Sequence, residues 1–218
     1  MTPGQIKVVE RILSANDQIA EENRLRLLGQ GILGVNIMAS PGAGKTSVIM
    51  ATIRALQGRL RVGVIEGDVA SSVDAERVAT LGVPVIQINT GGGCHLDARQ
   101  VQEALNGLPL DRIDVLFIEN IGNLICPTEF YLGERLRVVV ASVPEGDDKP
   151  IKYPGVFASA SAIVLNKTDL MPFVDFRMDR FRAGVRAVNA ECPVLGVSCR
   201  TGEGIADVAQ WLVGASAR

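Results

Sequence analysis

Three features of the sequence predict an α/β fold with a mainly parallel central sheet flanked by helices. From residue 32 onward, short apolar runs alternate with amphipathic stretches, and each run ends in Gly, Asp, Asn or Ser, where a loop can begin. The first run, Leu33 to Met38, leads into Ala39-Ser40-Pro41-Gly42-Ala43-Gly44-Lys45-Thr46 and then at once into a helical pattern. Apolar residues make up 47% of the chain and aromatics only 4%, so branched aliphatics must fill the core, as suits strands buried on both faces. Together these describe a P-loop NTPase with an N-terminal helical extension.

The chain's 218 residues suffice for one well-packed α/β domain and are too few for two. A helical extension is expected over 1–30 and a P-loop NTPase domain over 31–218. In the extension, Ile6, Val9, Leu13, Ile19, Leu25 and Leu28 recur at roughly helical spacing, and Gly29 with Gly31 gives a stop signal. A helix over 3–29 is expected, with room for a break into two. Strands are expected near 32–38, 62–66, 84–88, 114–118, 136–141, 162–166 and 194–198. Helices should fill 45–57, 72–81, 97–106, 175–189 and 204–214. The Pro-rich charged segment 144–154 reads as a loop. Ligands of such sheets gather beyond the carboxyl ends of the strands, which directs attention to the loops that begin at 39, 67, 90, 119, 142, 166 and 198.

A net charge of −2 with no long basic run gives no electrostatic footprint for nucleic acid. The first 30 residues carry charges throughout and lack the apolar stretch of a secretory signal, and no run approaches the roughly 18 apolar residues of a membrane span. A cytoplasmic protein with no membrane or nucleic-acid partner is expected. In that compartment Cys94, Cys126, Cys192 and Cys199 stay reduced, which leaves metal binding or plain burial as their roles.

The loop through Thr46 is a Walker A motif in its strand-to-helix context. Backbone N–H groups of Gly42, Ala43, Gly44 and Ser47, with the positive end of the following helix, can cradle phosphate oxygens. Lys45 adds a full charge near the β and γ phosphates, and the Thr46 hydroxyl is offered to Mg²⁺. Ala39 stands where the motif normally opens with Gly. A metal-side acid is expected at the end of another core strand, and Glu119-Asn120-Ile121-Gly122 supplies it: Glu119 can hold Mg²⁺ directly or through water, and the Gly122 N–H can approach the γ phosphate. Asp68 is a second candidate for Mg²⁺ or for orienting water. The expected catalytic set is Lys45, Asp68, Glu119 and Gly122. No glutamine follows Gly122, so unaided turnover should be slow.

The base is read from Asn166-Lys167-Thr168-Asp169. A carboxylate at Asp169 accepts from both N1–H and the exocyclic amine of guanine, whereas adenine has no matching pair of donors. Asn166 would tie this loop to the Walker A loop, and Lys167 would lay its stem along the base. One strand later Ser198-Cys199-Arg200 stands where a second base loop gives a backbone N–H to guanine O6. GTP and GDP are therefore the expected ligands. A kinase of the same fold would have no use for the Asn-Lys-Thr-Asp loop.

Cys94 and His95 follow a predicted strand, and Cys126 lies four residues past Gly122. Thiolate and imidazole suit Zn²⁺ or Ni²⁺, but three ligands leave a tetrahedral site incomplete, to be closed by water or by a cysteine of a second subunit. By spacing alone, two buried free cysteines and a capping histidine account for the pattern as well. The short link to Gly122 favours the metal, because it would join metal geometry to γ-phosphate sensing. Cys192, without neighbouring ligands, reads as structural.

Taken together, Asn16, Glu22-Asn23-Arg24, the Walker A loop, Glu66-Gly67-Asp68, Gly91 to Ala98, Glu119 to Pro127, Gly146 to Pro154 and Asn166 to Leu170 closely resemble the hydrogenase nickel-incorporation GTPases of the HypB family. The likeness runs from about residue 10 to 214. It implies a GTP-binding metallochaperone that dimerises and helps place nickel in the large subunit of a [NiFe]-hydrogenase, together with a partner zinc-and-nickel protein. The matching metal ligands are Cys94, His95 and Cys126. Neither the N-terminal Cys-x-x-Cys-Gly-Cys nickel motif nor the histidine-rich stretch of some family members stands in this sequence, so nickel storage is not expected. The urease-accessory GTPases differ by a Cys-Pro-His motif absent here.

Overall fold

The computed structural model describes the backbone of residues 3–217 and the side chains of residues 14–217. Seven strands, β1 (Leu33–Ala39), β2 (Val62–Asp68), β3 (Val85–Asn89), β4 (Val115–Glu119), β5 (Leu136–Ser142), β6 (Ala162–Asn166) and β7 (Val194–Gly196), form one sheet in the order β3-β2-β4-β1-β5-β6-β7. All six pairings are parallel. The sheet is the expected P-loop fold. β1 lies at its centre, so the phosphate loop emerges between the ends of β4 and β5.

Alternate strand residues face opposite layers, as the pleat requires. Val115 and Phe117 enter the core under helices α2 (Lys45–Leu56), α3 (Val73–Ala79) and α9 (Ile205–Ser216). Leu116 and Ile118 face the opposite layer, against α1 (Pro3–Gly29) and α4 (Ala98–Asn106). Beyond β1 that layer continues under α7 (Pro154–Ala158) and α8 (Met178–Val188), where Phe157 and Phe181 meet edge to face with Met38, Val139 and Ile163. Emptying such a fully buried aromatic position costs roughly 3–5 kcal/mol.

Helix α1 is continuous, without the break allowed for. The side chains of Ile6, Val9 and Leu13, on which part of its pattern rested, lie outside the described residues. Two buried amides fix its second half. Asn23 donates to Ala98 O at 2.8 Å and Leu132 O at 3.0 Å, while Asn16 accepts from Ala98 N and donates to Tyr131 O. Among the described residues, no helix is long and apolar enough to cross a membrane.

The segment 144–154 is not a loop. It forms a 3₁₀ turn (Val143–Glu145), α6 (Lys149–Lys152) and the start of α7. Its prolines stand in the first turn of these helices, where a missing N–H costs nothing, so residues that read as breakers act as starters. A further short helix, α5 (Cys126–Glu129), opens in the same way with Pro127. After Asn166 the chain makes a 3₁₀ helix over Thr168–Phe173, and α8 begins at Met178 rather than near 175.

Candidate nucleotide and metal site

The phosphate loop turns through Gly42 and Gly44, both at positive φ, and Ala39 ends β1 fully buried without disturbing that turn. A Cβ on Gly44 would lie 2.5 Å from Asn166 Nδ2, so only glycine permits the close approach of the two loops. Asn166 closes that approach by donating to Ala43 O at 3.0 Å, and Lys167 Nζ reaches Gly42 O at 2.7 Å. Lys167 itself takes a left-handed conformation, φ 61°, among the described residues the one non-glycine to do so. Between these loops opens a cavity of about 480 Å³ lined by Gly44, Ser47, Asn166, Lys167, Asp169 and Cys199. Ser198 Oγ donates to Asp169 Oδ1 at 2.6 Å, which orients the carboxylate. Arg200 lines the same cavity, and burial pushes the Cys199 thiol up to about 11, making it a neutral wall rather than a nucleophile.

On the phosphate side, Thr46 Oγ1 donates to Glu119 Oε1 at 2.9 Å, and Lys45 Nζ lies 3.9 Å from the same oxygen. Glu119 is 2% exposed, and burial raises its carboxyl above the ordinary range, partly offset by Glu66 and then by Lys45 and Thr46. Beside it lies Glu66, also buried, whose carboxyl is pushed up by burial and then by the charge of Glu119. Sequence reasoning gave Glu66 no role, because its proximity to Glu119 arises only from the pairing of β2 with β4. The Oε2 atoms of both acids are buried without a hydrogen-bond partner. Two orphaned carboxylate oxygens and a hydroxyl are hard donors of the kind Mg²⁺ takes. Asp68 sits at the end of β2 but turns onto its own loop, accepting from Ala70 N and Ser71 N at 3.0 Å each. These backbone donors, Ala70 first, hold its carboxyl below the usual range. Gly122 passes so close to the phosphate loop that a Cβ there would stand 3.1 Å from Pro41 Cα.

Cys94, His95 and Cys126 converge, with their ligand atoms all within 4.8 Å of one another. Local structure places them. Asp97 and Gln100 form a capping box that starts α4 with its N-cap two residues after His95, while Cys126 opens α5. The His95 ring lies against Phe130, with centroids 3.8 Å apart, and burial lowers its pKa, which favours the neutral imidazole that can ligate. The Cys126 thiol beside it holds Cys94 above the ordinary thiol range. Phe130 carried no signal in the sequence. Cys192 lies apart from this group, half-buried, and burial alone raises its thiol to about 11.

A parallel sheet with a Walker A loop, a buried acid on the neighbouring strand and an Asn-Lys-x-Asp loop over one cavity defines a P-loop nucleotide-binding protein of the GTPase group. The family model described as CobW/HypB/UreG, nucleotide-binding domain, matches residues 34–196. The chain belongs to the HypB family of hydrogenase maturation factors. It is 49% identical to the hydrogenase maturation factor HypB of Rhizobium leguminosarum bv. viciae, over 98% of this chain and 71% of that protein. Its fold matches the crystal structure of HypB from Archaeoglobus fulgidus with a TM-score of 0.87 at 38% identity, over 93% of this chain and 99% of that one. It also matches HypB from Helicobacter pylori in complex with nickel, with a TM-score of 0.88 at 35% identity, over 93% and 95% of the two chains.

Proposed function

We propose that this protein is a cytoplasmic GTPase and metallochaperone in which the nucleotide state governs a transition metal held by Cys94, His95 and Cys126, in the service of nickel insertion into [NiFe]-hydrogenase. The observation that carries the reading is the convergence of those three ligand atoms within 4.8 Å, on segments that flank the loop after Glu119. The crystal structure of the Helicobacter pylori relative with nickel supports Ni²⁺ as the cargo. Zn²⁺ suits the same donors. Residues 31–218 form the GTPase domain and residues 1–30 its helical extension. The missing ligand and an exposed Cys94 fit a homodimer that shares the metal. The remaining partners are the nickel-zinc accessory maturation protein and the hydrogenase large subunit.

In hydrolysis, water attacks the γ phosphorus in line as the bond to the β–γ bridging oxygen breaks. The charge left on the β phosphate of GDP faces Lys45 and the N–H groups of Gly42 to Ser47, and the proton of the water leaves on inorganic phosphate. Thr46 and Glu119 would hold Mg²⁺, which would supply neutralisation of the phosphate charge. Gly122 N–H meets the γ phosphate, and Asp68, once released from its loop contacts, orients the water. Asp169 selects guanine, supported by Asn166, Lys167 and the loop of Ser198, Cys199 and Arg200.

Phosphate release from GTP, followed with and without Mg²⁺ over a range of protein concentrations, tests the enzymatic half. Slow Mg²⁺-dependent turnover is expected. GTP binding without turnover at any concentration would leave only a nucleotide-stabilised scaffold.

A further inference from the structure

A buried chain of hydrogen bonds runs beneath both sites and passes through the residue next to Glu119. The Asn120 side chain is fully buried, and its Oδ1 accepts from Ile121 N at 3.0 Å in its own loop and from Leu96 N at 3.1 Å, directly after His95. Its Nδ2 donates to Asn36 Oδ1 at 3.3 Å. Asn36 Nδ2 in turn faces Glu134 Oε1 at 3.4 Å. Glu134 also takes Arg137 Nε at 2.7 Å and Leu132 N at 2.8 Å, and Arg137 Nη1 donates to Thr128 O in α5, the helix that begins at Cys126.

The direction of the chain is fixed by one group. Glu134, paired with Arg137, only accepts, so Asn36 must present its NH₂ to it and its oxygen to Asn120. Asn120 must then donate to Asn36 and turn its own oxygen to Ile121 and Leu96. Amide orientation at Asn120 is thereby set without freedom to flip. Both ends of the chain are metal-carrying segments, Leu96 beside His95 and Thr128 in the helix of Cys126. A second direct tie between the 120–125 loop and the metal loop is exposed: Asn123 Nδ2 reaches Cys94 O at 3.4 Å. A buried, fully oriented network is the stiffer of the two.

We propose that Asn120 is the positioning residue that transmits the state of the nucleotide loop to the metal ligands. The proposal rests on the nucleotide-controlled metal site described above and names the element that does the controlling. Gly122 packs closely against Pro41, a Cβ there standing 3.1 Å from Pro41 Cα, so a γ phosphate that shifts Gly122 also shifts Ile121 and Asn120. Asn120 carries that shift to Leu96 and His95, while Asn36, Glu134 and Arg137 hold the Cys126 helix as the fixed reference. Metal affinity then differs between nucleotide states because the angle between the two segments differs.

The test is calorimetric titration of Ni²⁺ into the full chain with GDP and with a non-hydrolysable GTP analogue, for the wild type, Asn120→Ala and Asn36→Ala, with thermal melts of each. The wild type should show a ratio of affinities between the two states of at least about fivefold. In Asn120→Ala that ratio should fall below about twofold, and in Asn36→Ala, which keeps Leu96 and Ile121 bonded, it should fall part of the way. A lower melting temperature with an undiminished ratio in Asn120→Ala makes the residue merely structural and overturns the proposal. If that variant does not fold, an undiminished ratio in Asn36→Ala overturns it. Equal affinities in the wild type remove the functional reading itself, and the proposal with it, an outcome distinct from a wild-type ratio that survives both substitutions.

Discussion

Glu66 and Glu119 are register partners on adjacent parallel strands, each 2% exposed, and each leaves its Oε2 buried without a hydrogen-bond partner. Two carboxyls so close in a low-dielectric site cannot both ionise without a cation between them. Lys45, 3.9 Å from Glu119, compensates only one. Glu66 is therefore held in its protonated form beside Glu119, and a divalent ion bound there would favour its ionised form.

Glu66→Gln should stabilise the protein free of nucleotide and Mg²⁺, increasingly so at higher pH. The folded carboxyl of Glu66 lies above its unfolded value near 4.3, because of burial and then Glu119. Stability from its protonated form is complete below the unfolded pKa and is lost as pH rises toward the folded one, with a slope of up to about 1.4 kcal/mol per pH unit. Glutamine has no proton to lose. Melts in EDTA between pH 5 and pH 8 should show a gain that widens with pH, and a gain or loss independent of pH would contradict the arrangement.

Lys45→Ala removes a full positive charge 3.9 Å from Glu119 at the phosphate loop. The remaining donors are neutral N–H groups, and charge-assisted bonds are roughly twice as strong as neutral ones. GTP affinity should fall on the order of a hundredfold, from the loss of about 3 kcal/mol. Unchanged hydrolysis in the variant would remove the assignment of this loop to the β and γ phosphates.

Asp169→Asn should shift preference from GTP toward xanthosine triphosphate, since an amide donates to O2 of xanthine where the carboxylate accepted from the guanine amine. The contact from Ser198 Oγ at 2.6 Å keeps either side chain in place. Competition between the two nucleotides reads the outcome, and a retained strong preference for GTP would speak against Asp169 as the base reader.

Much of this is legible in the sequence itself. The five inner strands are largely buried and read as apolar runs, the half-buried edge strands β3 and β7 still stand out between turn residues, and the nucleotide loops follow because they hang from strand ends. The prolines at 144, 150 and 154 misled, since nothing local tells a helix start from a break. The contacts of Glu66 and Phe130 were hidden for a different reason: their partners Glu119 and His95 are brought close by sheet order and by the fold of a long loop. Asn36 did leave a trace, as a polar residue in the middle of an otherwise apolar strand. Its role depends on Asn120 and Glu134, more than 80 positions away.

Metal affinity should fall as pH drops below neutral. Thiolate ligation releases protons, and the Cys126 thiol already holds Cys94 above the ordinary thiol range. The sign follows: a raised thiol pKa favours the protonated form, so each step down in pH adds competition for the metal. Ni²⁺ titrations at pH 6, 7 and 8 in two buffers of different ionisation enthalpy should show proton release and tightening with pH. Affinity flat across that range would exclude thiolate ligands.

The central claim is that one set of side chains binds metal and responds to nucleotide. Calorimetric titration of Ni²⁺ in GDP and in a non-hydrolysable GTP analogue, on the wild type, Cys94→Ala and Cys126→Ala, addresses it most directly. Binding that differs between the nucleotide states and is lost in both variants is the predicted result. Equal affinity in the two states, or undiminished binding in both variants, would contradict it.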